Sequence, residues 1–174
     1  MSIPRRGLFS NGLKGACCSI LYALLGKVSN AFAGEIDATL LVHPVGRVER
    51  EGDSVHLTIL EEYRNALLGL DGYSHILVLY WFDRNDIAEK RRILRVHPQG
   101  NQDNPLTGVF ACRAPVRPNL IGLTLCKVLS VAEGRICVDK IDALDGSPIV
   151  DIKPYIPSID DTAEDIRLPD WLKR

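Results

Sequence analysis

Val55-His56-Leu57-Thr58-Ile59 alternates apolar and polar side chains, the period-two pattern of a strand with one buried face. From Leu60 the spacing turns helical. Leu60, Tyr63, Leu67 and Leu68 share one side, and Gly69 predicts the stop. Asp71-Gly72 reads as a turn. Ser74 to Phe82 (SHILVLYWF) is apolar, aromatic and β-branched, which predicts a strand buried on both sides. Ile93 to Val96 is a shorter candidate, and His97 to Thr107 is a loop rich in Pro, Gly and Asn. Val109 to Cys112 reads as short and extended. Arg113 to Asn119 (RAPVRPN) holds two prolines and fits neither a helix interior nor a central strand. Ile121 to Val131 reads as a long strand whose apolar phase changes near Lys127, the signal of a bulge. Glu133-Gly134 turns it back into Arg135 to Ile141, Asp145-Gly146 is a further turn, and Ile149 to Ile152 is the last strand. Strands at short intervals, Gly/Pro turns and one short helix predict a mainly β chain built as an antiparallel barrel or sandwich.

The first 36 residues follow a different pattern. Arg5-Arg6 precedes Gly-Leu-Phe, a modest apolar run covers Gly15 to Leu25, and Ala31-Phe32-Ala33 follows. A basic start, an apolar middle and Ala-x-Ala are the parts of an export signal, here of twin-arginine type. An amphipathic helix packed on the body, or a start codon assigned upstream of the true one, are the rival readings. The expected organisation is an extension over 1–36, one domain over 37–160 and an acidic tail over 161–174.

Composition narrows the function. At 174 residues, 46 % hydrophobic and 25 % charged, the chain suits one globular domain. Its 21 basic and 22 acidic residues leave a net charge of −1, so bulk positive charge cannot drive nucleic-acid binding and any such contact needs a local patch. No apolar run approaches the roughly 20 residues of a membrane span. Five cysteines without a CxxC pair argue against a disulfide framework or a structural metal site.

No Rossmann fingerprint, phosphate-binding loop or GxSxG elbow occurs. His75, inside an apolar run, reads as a core histidine bonded to a neighbour, and His97, before Pro98, as either turn structure or site. Polar residues gather instead in stiff segments. Arg113, Arg117 and Asn119 lie in the proline-braced stretch, where fixed guanidinium groups suit carboxylates, phosphates or flat bases, or lock the loop itself. Asp139, Asp142, Asp145, Asp151 and Lys153 gather around a turn, and alternation puts Asp151 and Lys153 on one face, as a site or as an ion pair. Lys90-Arg91-Arg92 with Arg95 reads as a solvated face or an RNA patch.

Gly108 to Leu123 (GVFACRAPVRPNLIGL) resembles the signature GVFATRSPxRPNPIGLS of the TsaA-like, or TrmO, family. Asp142 to Tyr155 (DALDGSPIVDIKPY) resembles its second signature, DLLDGTPVLDIKPY, and His43 to Val48 and Leu70 to Phe82 resemble its opening strand and its aromatic strand. The resemblance spans about Leu41 to Asp160. It implies a single-sheet antiparallel β-barrel that binds S-adenosylmethionine, pairs as a homodimer, and methylates the adenine nitrogen of threonylcarbamoyl-adenosine beside the anticodon of tRNA in the cytoplasm. It places cofactor contacts at Asp83, Arg84, Arg113, Leu123 and Asp139-Lys140-Ile141-Asp142. It places Arg117, Asn119, Asp145, Lys153 and Tyr155 in the substrate or RNA site. No metal is implied. The substrate nitrogen must lose a proton, for which Asp142 or Asp151 is the candidate acceptor.

The chain departs from the pattern at Cys112, usually Thr, and at Leu120, usually Pro. Its Arg50–Val55 link is short where longer members carry a Pro-Arg-Gln segment and, further on, an extra C-terminal region. These gaps threaten tRNA specificity more than cofactor binding. A methyltransferase on a small substrate, or a non-catalytic, exported ligand-binding barrel, are the rival functions.

Overall fold

The computed structural model describes residues 39–161 and 164–173. The export-signal and helix readings of 1–36 lie outside them. Six strands close into one antiparallel barrel: β1 (Gly46–Glu51), β2 (Ser54–Ile59), β3 (His75–Trp81), β6 (Ile121–Ala132), β7 (Arg135–Val138) and β8 (Pro148–Pro154), in the order β1-β2-β7-β6-β3-β8. Closure leaves no free sheet edge. A separate two-stranded ribbon, β4 (Arg95–Val96) with β5 (Thr107–Gly108), lies in the long connection from β3 to β6. No helix among the described residues is long and apolar enough to cross a membrane.

Alternation along each strand fills the barrel. Val55, Leu57 and Ile59 of β2 are buried, as expected from the sequence. β3 differs from its expected two-sided burial. Ile76, Val78 and Tyr80 point inward and are fully buried, whereas His75, Leu77, Leu79 and Trp81 are only half-buried. The run is apolar on both faces because the barrel's outer wall here is apolar too: Leu77 pairs with Leu125 and Leu79 with Leu123, and the two β6 leucines are exposed. Tyr80 lies where a side chain on its partner Gly122 would be, and a Cβ there would stand 2.4 Å from the ring. Burial pushes the Tyr80 phenol above its ordinary pKa.

Two local expectations change. Glu61–Leu67 forms 3₁₀ turns with no side-chain cap and no buried residue, ended by Gly69 at φ +81°. Val109–Ala111 is also a 3₁₀ turn, not extended, because Val109 is buried and its N–H donates to the Leu94 carbonyl at 3.0 Å. The bulge in β6 is present, with the register to β7 shifting between Val128 and Ser130.

The consequence for function is topological. β3 runs out at Trp81, where β6 begins at Ile121 and β8 begins at Pro148, next to the Ile149 that pairs with Tyr80. The three connections that carry the polar residues therefore meet at this end of the barrel.

Candidate functional site

Beyond the end of β3, a cavity of about 310 Å³ opens between residues 82–85, 113–115 and 142–147. Its charged lining is Asp83, Arg84, Arg113 and Asp142, and Phe82, Pro115 and Leu144 give it apolar walls.

The first segment is a 3₁₀ turn, Asp83–Asn85, anchored by the Phe82 N–H donating to Leu120 at 2.8 Å. Ser147 Oγ donates to Asp83 Oδ1 at 3.3 Å and orients it. Asn85 Nδ2 donates to the Pro115 carbonyl at 3.3 Å, tying the turn to the proline-braced stretch. Asp86, just beyond, accepts from Arg91 Nε at 2.7 Å and Trp81 Nε1 at 3.0 Å, and these bonds hold its carboxyl below the ordinary range. Arg91 also donates to Pro118 at 2.9 Å and lies 5.3 Å from the Trp81 ring centroid, within cation–π reach.

The second segment separates its two arginines by role. Arg117 donates to the carbonyls of Val109 at 2.7 Å and Cys112 at 3.5 Å, so it locks the loop. Arg113 is exposed and lines the cavity.

The third segment is held from three sides. Thr124 Oγ1 donates to Asp142 Oδ1. The Lys127 N–H donates to Asp139 Oδ1 at 2.8 Å. Arg50 Nη2 donates to the carbonyls of Ile141 at 2.6 Å and Ala143 at 3.0 Å, and the Arg50 N–H donates to Asp145 Oδ1 at 2.9 Å. The short link after Arg50 is thus a tight hairpin from which Arg50 clamps the loop; nothing in the sequence pattern pointed to that residue. Gly146, at φ +81°, closes the turn with its N–H on Val48 at 2.8 Å. Ser147, Phe82 and Leu144 also belong to the site without having been singled out.

Of the residues expected at the cofactor, Asp83, Arg84, Arg113 and Asp142 meet at one cavity. Lys140 is exposed, and the Ile141 side chain is in the core. Leu123 is on the outer wall of β6, paired with Leu79. Asp151 and Lys153 form an outward ion pair at 2.8 Å, away from the cavity lining, and Asp151 Oδ1 also accepts the Ile152 N–H at 2.9 Å. Tyr155 packs edge-on to His75 at 6.5 Å, at the opposite end of β3. Asn119 is exposed, and its carbonyl accepts the Ile121 N–H at 2.8 Å.

Residues 44–161 match the profile of the tRNA-methyltransferase O N-terminal domain. A probable S-adenosyl-L-methionine-binding protein of Methanocaldococcus jannaschii is 45 % identical over 117 residues, covering 67 % of this chain and 93 % of that one. A tRNA (adenine(37)-N6)-methyltransferase of Mus musculus is 37 % identical over 106 residues, 61 % of this chain but 24 % of the mouse protein. Crystal structures of TrmO from Pseudomonas aeruginosa superpose with TM-scores of 0.59 and 0.56 at 29 % identity, covering 77 % and 75 % of this chain. The chain spans 62 % of the length of each of those TrmO chains.

Proposed function

The chain belongs to the tRNA-methyltransferase O family, and from that premise we propose that it is an S-adenosylmethionine-dependent methyltransferase. In this reading it acts on the exocyclic nitrogen of a tRNA adenine, the one bearing a threonylcarbamoyl group beside the anticodon. The observation that carries the reading is the convergence of Asp83, Arg84, Arg113 and Asp142 on one cavity.

The residues present fit the cofactor. Asp83 and Asp142 suit an ammonium and ribose hydroxyls, a guanidinium from Arg84 or Arg113 suits a carboxylate, and Phe82, Pro115 and Leu144 suit an adenine ring. Bound S-adenosylmethionine supplies an electrophilic methyl group on a sulfonium. The chain's part is to orient and to exclude water. Ser147 fixes the rotamer of Asp83, Thr124 that of Asp142, and Arg50 the backbone between them. Of the two candidate proton acceptors, Asp142 is at the cavity and is kept as a cofactor contact, while Asp151 is neutralised by Lys153 on the outer wall.

Two finer parts of the reading rest on the family resemblance. Two copies pair, with the exposed row of Leu123 and Leu125 on the outer wall as the surface to cover. The reaction takes place in the cytoplasm, where both substrates are found.

Calorimetric titration of S-adenosylmethionine into the full chain, followed by methyl transfer to purified tRNA, tests the proposal. Micromolar binding that Arg113→Ala weakens tenfold or more, with transfer to tRNA, supports it. Absence of cofactor binding in the parent chain overturns it, and binding with transfer only to a small molecule moves the substrate.

A further inference from the structure

A larger cavity, of about 950 Å³, shares Arg113 and Pro115 with the first. The two spaces thus adjoin across one short, proline-stiffened stretch. The larger one is lined by Phe110, Trp171 and Pro98, and Phe110 is 81 % exposed, a large aromatic left unpacked. Its imidazole is His97.

His97 is held in one ring orientation by its loop. Its Nδ1 lies 2.7 Å from the Asn104 carbonyl oxygen. A carbonyl only accepts, so Nδ1 carries a proton, and in the neutral ring the lone pair is on Nε2. Asn104 is itself buried, and its amide donates to Pro98 at 3.0 Å, which fixes the loop that orients the ring. Nε2 has no hydrogen-bond partner among the described residues.

We propose that this second cavity seats the target purine, and that His97 Nε2 accepts the proton its exocyclic nitrogen gives up. The inference rests on the methyltransferase reading above. A base beside the anticodon must leave its stack to be methylated, and its faces then need aromatic walls, which Phe110 and Trp171 provide. Arg113, at the wall between the cavities, can fork onto a carboxylate carried by the base. A nitrogen beside a carbonyl is a poor nucleophile while it keeps its hydrogen. The step balances as follows: the N–CH₃ bond forms while the CH₃–S bond breaks, the electron pair of that bond stays on sulfur, and the N–H proton passes to Nε2 and then to water.

Arg113 and Cys112 are the other charged or titratable side chains lining this cavity, and Asp103 and Asp170 line the adjoining cleft, where Asp170 is paired with Lys173. Among the lining side chains only the His97 imidazole has a basic ring nitrogen.

The test uses the full chain and His97→Asn, whose amide can still donate to Asn104 but has no nitrogen in the place of Nε2. Expected results are cofactor affinity within twofold of the parent and single-turnover transfer to tRNA about 100-fold slower. A fall in rate on acidification is expected of the parent and not of the variant. The nucleoside N6-threonylcarbamoyladenosine is expected to quench tryptophan emission in the parent but not in Trp171→Phe, which retains Trp81. A variant that turns over at the parent's rate with the same acid limb overturns the inference. So does a nucleoside that quenches both chains alike or neither, or a loss of cofactor binding in His97→Asn, which would make the residue structural. If the parent binds no S-adenosylmethionine, the methyltransferase reading fails first and takes the inference with it.

Discussion

Arg50 is separated by 91 residues from Ile141, whose carbonyl it binds. That separation is why sequence reading passed over it: an arginine holding backbone oxygens leaves no spacing to recognise. A charged donor on neutral acceptors contributes about 1.5–3 kcal/mol, and here it is spent on a loop that carries Asp142 and Leu144. Arg50→Ala is therefore expected to weaken S-adenosylmethionine binding about tenfold or more while lowering the melting temperature by only a few degrees. Parallel calorimetry and thermal unfolding check this, and unchanged affinity would show that the loop holds its shape unaided. Cys126 tests the core instead. Burial pushes its thiol from 9.0 up to about 12, so the unfolded chain releases that proton first. Its contribution is complete below pH 9.0 and is lost as pH rises toward about 12. Cys126→Ala should be slightly less stable at neutral pH yet lose less stability over that alkaline interval, as read by urea melts at stepped pH.

The elements were legible where one face of a strand had to be buried. β2 follows its alternation, and the two long signature segments fix where β6 and β8 lie. Reading failed where tertiary contacts overrode local pattern. β3 looked buried on both faces because its outer wall is apolar, and Val109–Ala111 turned because Val109 is anchored to Leu94. Gly122 is one letter of a long signature in the sequence, and in the fold it is the position where β6 makes room for the Tyr80 ring of β3. Gly122→Ala should cost about 1–3 kcal/mol in denaturant melts. Tyr80→Leu in the same chain should recover part of that cost, and simple additivity would refute the packing argument. The turn after β3 has its own signature in pH. Asp86 is depressed below 3.8, so its contribution is present above that value and lost as pH falls through the folded pKa. The pair is well exposed and worth a fraction of about 1 kcal/mol. Asp86→Asn should thus differ slightly from the parent at neutral pH and converge with it below 3.8.

At the scale of the molecule, the barrel brings together residues that the sequence presents as three separate groups, around positions 83, 113 and 142. Family resemblance located them, but only closure explains why they meet. The same geometry divides the basic residues. Arg91, Arg117 and Lys153 are committed to Asp86, to Val109 and Cys112, and to Asp151, so they add little to a field in solution. Arg84, Arg92, Arg95 and Arg113 are exposed, with no side-chain partner among the described residues. On a chain of net charge −1, Arg92 and Arg95 are open to RNA phosphates, as are the exposed Lys127 and Lys140, whereas Arg84 and Arg113 line the cavity. If Arg92, Arg95, Lys127 and Lys140 each meet one phosphate of a single-stranded loop, log affinity should fall with log salt at a slope of about −3, each contact giving about −0.7. Fluorescence anisotropy on an anticodon stem-loop across a salt series measures that slope. Arg92→Ala, outside the cofactor cavity's lining, should flatten it by about 0.7 without changing S-adenosylmethionine affinity. A slope near zero in the parent would mean that these open basic residues meet no phosphate, and that the barrel methylates something smaller than tRNA.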